Sequence, residues 1–234
     1  MGKKISRKKL LKEPDEFLTF STRMLNYLSA HKREAIGAFG LVLLAVLIFN
    51  AVQFFAQRSE QRAFALLNQT LQQYEDVFTE ESAEEAYLAV KPDFEALLSQ
   101  YSRRTAARMG RVQYANMAFE AQDYAVARSL YQQALKDFEK QPFYHSLILS
   151  SLGHVQKAQE DYPAAIQSFE ALIGSAQAPL KDQALFILSR LYTLVGDEAG
   201  HARVVDRLMA DHENSLYIDL VKQPQPKDLP HVDS

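Results

Sequence analysis

Cysteine and tryptophan are both absent from the 234 residues. Without cysteine there is no disulfide framework, no thiolate metal site and no thiol nucleophile, while a reducing compartment and an extracytoplasmic one stay equally compatible. Glycine and proline are scarce, eight of each. No Asn-Gly or Asp-Gly pair occurs and no alternating β-branched run of useful length, so the signals of a hairpin are missing. The marks of catalysis are missing as well: there is no HExxH, Gly-rich phosphate loop, GxSxG elbow or calcium loop. The six histidines are His31, His145, His154, His201, His212 and His231. None has paired ligand spacing, and His201 and His212 stand too far apart along a helix to share one ion. The acidic cluster Glu80, Glu81, Glu84 and Glu85 surrounds Ser82, where it is expected to cap a helix and complement its dipole. The sequence therefore predicts no enzyme, no cofactor and no metal.

What is present begins with a hydrophobic content of 47%, too apolar for disorder and enough for a real core. The net charge of −3 hides an asymmetry. Residues 1–34 carry nine Lys/Arg against four Asp/Glu; the chain totals are 26 and 29, so the other 200 residues carry seventeen against twenty-five, a net −8. Between these halves lies AIGAFGLVLLAVLIFNAVQFFA, residues 35–56, twenty-two residues without a charge. At about 1.5 Å per residue this crosses a hydrocarbon core of roughly 30 Å, and it predicts a transmembrane helix. Its length, the thirty-four residues before it and Phe54 at the −3 position relative to Ala56 argue for an uncleaved anchor over a signal peptide. The basic residues before the span, from Lys3 to Arg33, outnumber Arg58 and Arg62 after it. The positive-inside rule then places the N-terminus in the cytoplasm and the larger part outside, in a bacterium the periplasm.

Residues 14–32 place Phe17, Phe20, Met24, Tyr27 and His31 at helical steps. They read as an amphipathic helix on the inner leaflet, aided by the basic stretch at residues 3–12, or equally as a solvated stub that enforces topology. The basic cluster is small and lacks interleaved aromatics, so no nucleic-acid partner is predicted. The expected organisation is a cytoplasmic segment over 1–34, the span over 35–56, a helical domain over 57–221 and an unpacked Pro-containing tail over 222–234.

Beyond the span the pattern is helical throughout and the fold class is all-α. Residues 57–77 and 82–101 carry apolar side chains at helical spacing, with a break at TEES. Two later stretches nearly repeat each other. DYAVARSLYQQAL at 123–135 and DYPAAIQSFEALI at 161–173 pair Asp123 with Asp161, Ala127 with Ala165 and Tyr131 with Phe169 at an offset of 38. Each follows another amphipathic stretch, 105–120 and 143–158, and a weaker third copy over 185–209 aligns Gly196-Asp197 with Glu160-Asp161 at an offset of 36. Helix pairs at such a period mark a helical solenoid.

The pattern resembles the tetratricopeptide repeat, a helix–turn–helix unit. Its first-helix small residue is matched by Ala115, Gly153 and Ser189, and its second-helix one by Ala127, Ala165 and Ala202. No Trp fills the first-helix aromatic position and the terminal Pro is displaced to Pro142. A solenoid of about three to four helix pairs is expected, with residues 57–101 as an atypical first unit. Taken with the basic stub and the anchor, the whole is similar to the membrane-anchored periplasmic tetratricopeptide-like proteins that include the ancillary subunit of the Sec translocon. That resemblance implies a scaffold binding the translocon, a periplasmic chaperone or an emerging client. Alternatives are a coordinator of envelope or outer-membrane assembly and a self-associating structural component. The resemblance also implies a concave groove, whose register falls on Asn116, His154 and Arg190, one turn earlier on Val112, Ser150 and Phe186, and three residues later on Phe119, Lys157 and Thr193. Replacing Asn116, His154 and Arg190 by alanine is expected to remove no core volume.

Overall fold

The computed structural model describes residues 29–175 and 178–222, together with Thr22, Met24, Asn26 and Tyr27. The basic stretch over residues 3–12, the first part of the 14–32 segment and the Pro-containing tail from 223 onward lie outside the described residues. Among those described there is no strand, and nine helices follow one another: α1 Lys32–Glu80, α2 Ala83–Gln100, α3 Thr105–Glu120, α4 Tyr124–Asp137, α5 Pro142–Ala158, α6 Tyr162–Gly174, α7 Lys181–Val195, α8 Glu198–Asp211 and α9 Tyr217–Lys222. The chain divides into two units between Arg58 and Ser59.

In the first unit, α1 is the one helix among the described residues long and apolar enough to cross a membrane. Between Ile36 and Phe55 its large apolar side chains, Phe39, Leu43, Leu47, Phe49 and Val52 among them, are all exposed. Over that stretch apolar side chains on every face leave no single stripe with which to seat the helix on a protein core. Its polar exception is quiet: the Asn50 amide donates to the Val46 carbonyl of the same helix at 2.8 Å.

In the second unit each helix packs against the next, from α2 to α8, and α9 lies on α7 and α8. The break expected at TEES falls at the end of α1. Ser82 then caps α2 with a reciprocal Ser82–Glu85 capping box, as the acidic cluster suggested. Ser59 and Glu60 of α1 fasten the start of α3, accepting from the Arg104 guanidinium and the Ala106 amide at 3.1 and 3.0 Å.

The turns within the three later helix pairs share one geometry. Gln122, Glu160 and Gly196 all take left-handed φ values of 62°, 60° and 74°. The next amide closes back five residues, Asp123 to Ala118, Asp161 to Gln156 and Asp197 to Tyr192, at 2.8 to 2.9 Å. This satisfies the carbonyls left over at a helix C-terminus. Each of those aspartates then caps the next helix through the amides of Val126, Ala164 and Gly200. One residue pair thus ends the first helix and starts the second.

Small residues set how closely the helices approach. Ala115, Ser189, Ala127 and Ala165 are fully buried. A Cβ built on Gly153 would stand 2.7 Å from the Phe169 ring. The third pair departs from expectation, since Ala202 is exposed. Counting from the capping Asp197, Ala202 falls at the place of Arg128 and Ile166 rather than of Ala127 and Ala165. Close approach is made instead at Gly200, where a Cβ would meet the Tyr192 ring at 2.6 Å. The apolar core forms two clusters. One runs from Ala63 and Leu67 of α1 through Phe94, Tyr114 and Tyr131 to Val155, and the other gathers Phe169, Leu172, Leu188, Leu191 and Leu208.

Candidate functional site

The first helices of successive pairs, α3, α5 and α7, line a run of three cavities. The first, of about 470 Å³, opens between α3 and α5. Its walls hold Arg108, Met109, Val112, Gln113 and Asn116 on α3, and Tyr144, Leu147, Ile148 and Ser151 on α5. A smaller one of about 220 Å³ continues it and shares Asn116 and Ser151, adding Phe119, Glu120, Tyr131 and His154. The third, of about 570 Å³, is lined by Lys157 and Tyr162 on one side and by Phe186, Ile187, Arg190, Leu191 and Leu194 of α7 on the other. His154 of the second cavity and Lys157 of the third lie three residues apart on α5, on one side of that helix.

Helical periodicity explains the first groove. Positions 105, 108, 109, 112, 113 and 116 form one stripe of α3, and 144, 147, 148 and 151 form the facing stripe of α5. Met109 and Tyr144 are 48% and 54% exposed, which leaves a flexible thioether and an aromatic ring as open apolar contacts. Tyr131 OH donates to Asn116 Oδ1. Burial pushes this phenol up to about 12. His154 sets its ring edge-on to Phe169 at 5.4 Å. Burial, and then the Lys157 charge, hold its pKa below the ordinary value, so the ring is neutral at pH 7. The third rung differs because the place of Tyr131 and Phe169 passes to Val205, and Arg190 stands exposed.

Of the nine residues expected in the groove, seven line these cavities: Val112, Asn116, Phe119, His154, Lys157, Phe186 and Arg190. Ser150 and Thr193 line none of the three. Ser151, one residue on, takes the place expected of Ser150. Thr193 turns toward α8, with its hydroxyl on the Ser189 carbonyl at 2.9 Å and beside His201 Nδ1 at 3.1 Å. Sequence reasoning missed Met109, Tyr144, Leu147 and Ile148. Their signal was available as an apolar stripe stepping back from Asn116 and Ser151 by three and four residues. Among the described residues no three His, Cys, Asp or Glu side chains converge to hold a metal.

The profile of the tetratricopeptide repeat-like domain family matches residues 33–184, well over half of the sequence. The chain belongs to this family. No curated protein matches the sequence. Among solved structures, a tetratricopeptide repeat protein from Parabacteroides merdae is similar at 11% identity with a TM-score of 0.54, covering 67% of this chain and 57% of that one. The chain thus spans little more than half of that protein's length. PilW, described as a widely conserved type IV pilus biogenesis factor, is similar at 12% identity and a TM-score of 0.54 over 94% of this chain and 100% of that one. At such identities the likeness is one of fold. The tetratricopeptide repeat-like fold presents protein-interaction surfaces, and the three cavities lie on the first-helix face such a solenoid offers.

Proposed function

We propose that this protein is a membrane-anchored scaffold whose repeat domain, outside the cytoplasm, holds a segment of a partner protein along the face of α3, α5 and α7. The observation that carries this reading is the series of three cavities from Met109 and Tyr144 to Arg190, lined by one helix from each pair. Stacked repeats that offer one helix apiece suit an extended ligand more than a compact small molecule. The anchor rests on the exposed apolar surface of α1 between Ile36 and Phe55, which lipid covers at no desolvation cost. The excess of Lys/Arg before it supports a cytoplasmic N-terminus.

Two partner classes suit this arrangement. A role at the translocon, with periplasmic chaperones or emerging clients, follows from the architecture of stub, anchor and exported repeats. A role in envelope assembly draws support from the fold shared with PilW, whose description places it in pilus biogenesis. Crosslinking in intact membranes followed by mass spectrometry separates them. Translocon or chaperone peptides are the expected result; assembly proteins would favour the second role, and links confined to the chain itself would overturn both in favour of self-association.

A further inference from the structure

We propose that the segment held by this face is acidic as well as apolar, an inference that rests on the docking reading above. The two larger cavities are lined by apolar and uncharged polar side chains and by three charged ones, Arg108 in the first and Lys157 and Arg190 in the third. All three are cations. Neither cavity has an acidic residue in its wall, although the chain beyond residue 34 carries a net −8. Four arginines elsewhere in the repeat domain stand in ion pairs. Arg111 pairs with Asp137, Arg128 with Asp161, Arg203 with Glu170 and Arg207 with Asp211.

The groove cations make no such ion pair among the described residues. Arg108 Nε is buried with no hydrogen-bond partner, and its Nη2 meets only the Thr105 hydroxyl, at 3.4 Å. A buried guanidinium N–H left open is costly unless a ligand oxygen completes it. Lys157 and Arg190 are exposed and both line the third cavity. Among the residues that line the three cavities the one carboxylate is Glu120, in the small middle cavity, where it accepts from Tyr74 OH at 3.0 Å. A face that is cationic in its two larger cavities, on a domain that is otherwise acidic, attracts acidic segments and repels basic ones. The apolar walls at Met109, Tyr144, Phe186 and Leu194 give the same segment its contact area.

The test uses the full chain in lipid nanodiscs and a randomised peptide library displayed on phage. Peptides enriched on the parent protein are expected to carry Asp or Glu beside aromatic or branched side chains. The R108Q/K157Q/R190Q variant should bind those peptides on the order of tenfold more weakly, since each charge pair at a groove rim contributes modestly. Thermal melting checks folding; if Arg108→Gln unfolds the domain, the K157Q/R190Q pair, both exposed, carries the comparison. Enriched peptides without acidic residues, lost on M109S/Y144S but kept by the charge variant, would overturn the acidic preference and leave the docking face standing. No enrichment, or enrichment indifferent to both sets of substitutions, would overturn both.

Discussion

Gly153 and Gly196 are glycines for unrelated reasons, and substitution separates them. At Gly153 an added methyl meets the Phe169 ring at 2.7 to 3.0 Å. Gly153→Ala should therefore destabilise by about 1–3 kcal/mol, and truncating Phe169 to leucine in the same chain should recover part of it. At Gly196 nothing lies within 4 Å of an added Cβ, and only the φ of 74° opposes a side chain. Gly196→Ala should cost about 1 kcal/mol through the backbone alone. Urea unfolding measures both.

The groove residues are less interchangeable than the sequence suggests. Arg190→Ala should leave stability within about 0.5 kcal/mol. Asn116→Ala removes the acceptor of the buried Tyr131 hydroxyl and should cost about 1–3 kcal/mol. His154 adds a pH dependence. Its native pKa lies below the ordinary value of 6.5 because burial, then Lys157, penalise the imidazolium. The unfolded chain takes up a proton first as pH falls below 6.5, so the contribution present above that pH is lost on acidification toward the native pKa. His154→Gln should flatten that part of the curve, and an unchanged slope would show that other groups carry it.

At the scale of elements, the aspartates that open α4 and α6 do more than cap. Asp123 also accepts from Tyr87 OH at 3.0 Å and Asp161 pairs with Arg128 at 2.9 Å. Tyr87 and Arg128 each stand five residues after the capping residue of the preceding pair's second helix, so the cap is tied to the pair before it. Ile166 fills that place before Asp197 and makes no such bond. Alanine at Asp161 should cost about 1–2 kcal/mol and at Asp197 about 1 kcal/mol, read from equilibrium denaturation. Much of this was legible in sequence. The Asp-Tyr recurrence, the small residues of the first two full pairs and the Ser82 cap follow from spacing and residue chemistry, because capping and close approach are local demands. Ala202 and Ser150 were misplaced because a residue's facing depends on helix rotation, which a ladder of fixed offsets does not carry. The apolar walls at Tyr144 and Leu147 were passed over because an apolar stripe at helical spacing reads first as core.

For the whole molecule, the described part of one unit is dominated by an apolar helix and the other unit is a stack of helix pairs. A reporter enzyme active only outside the cytoplasm should work when fused after Val221 and fail when fused before Glu34; the reverse would overturn the topology and the partner classes with it. The central claim is that the α3–α5–α7 face holds a partner protein. A photo-crosslinking amino acid at Gln113, Tyr144 or Leu194, in cells carrying the full chain, tests it most directly against the same group at Gln133, exposed on the second helix α4. Adducts of one common mass are expected from the three groove positions and none from Gln133. Adducts from Gln133 alone, or no adduct shared among the groove positions, would contradict it.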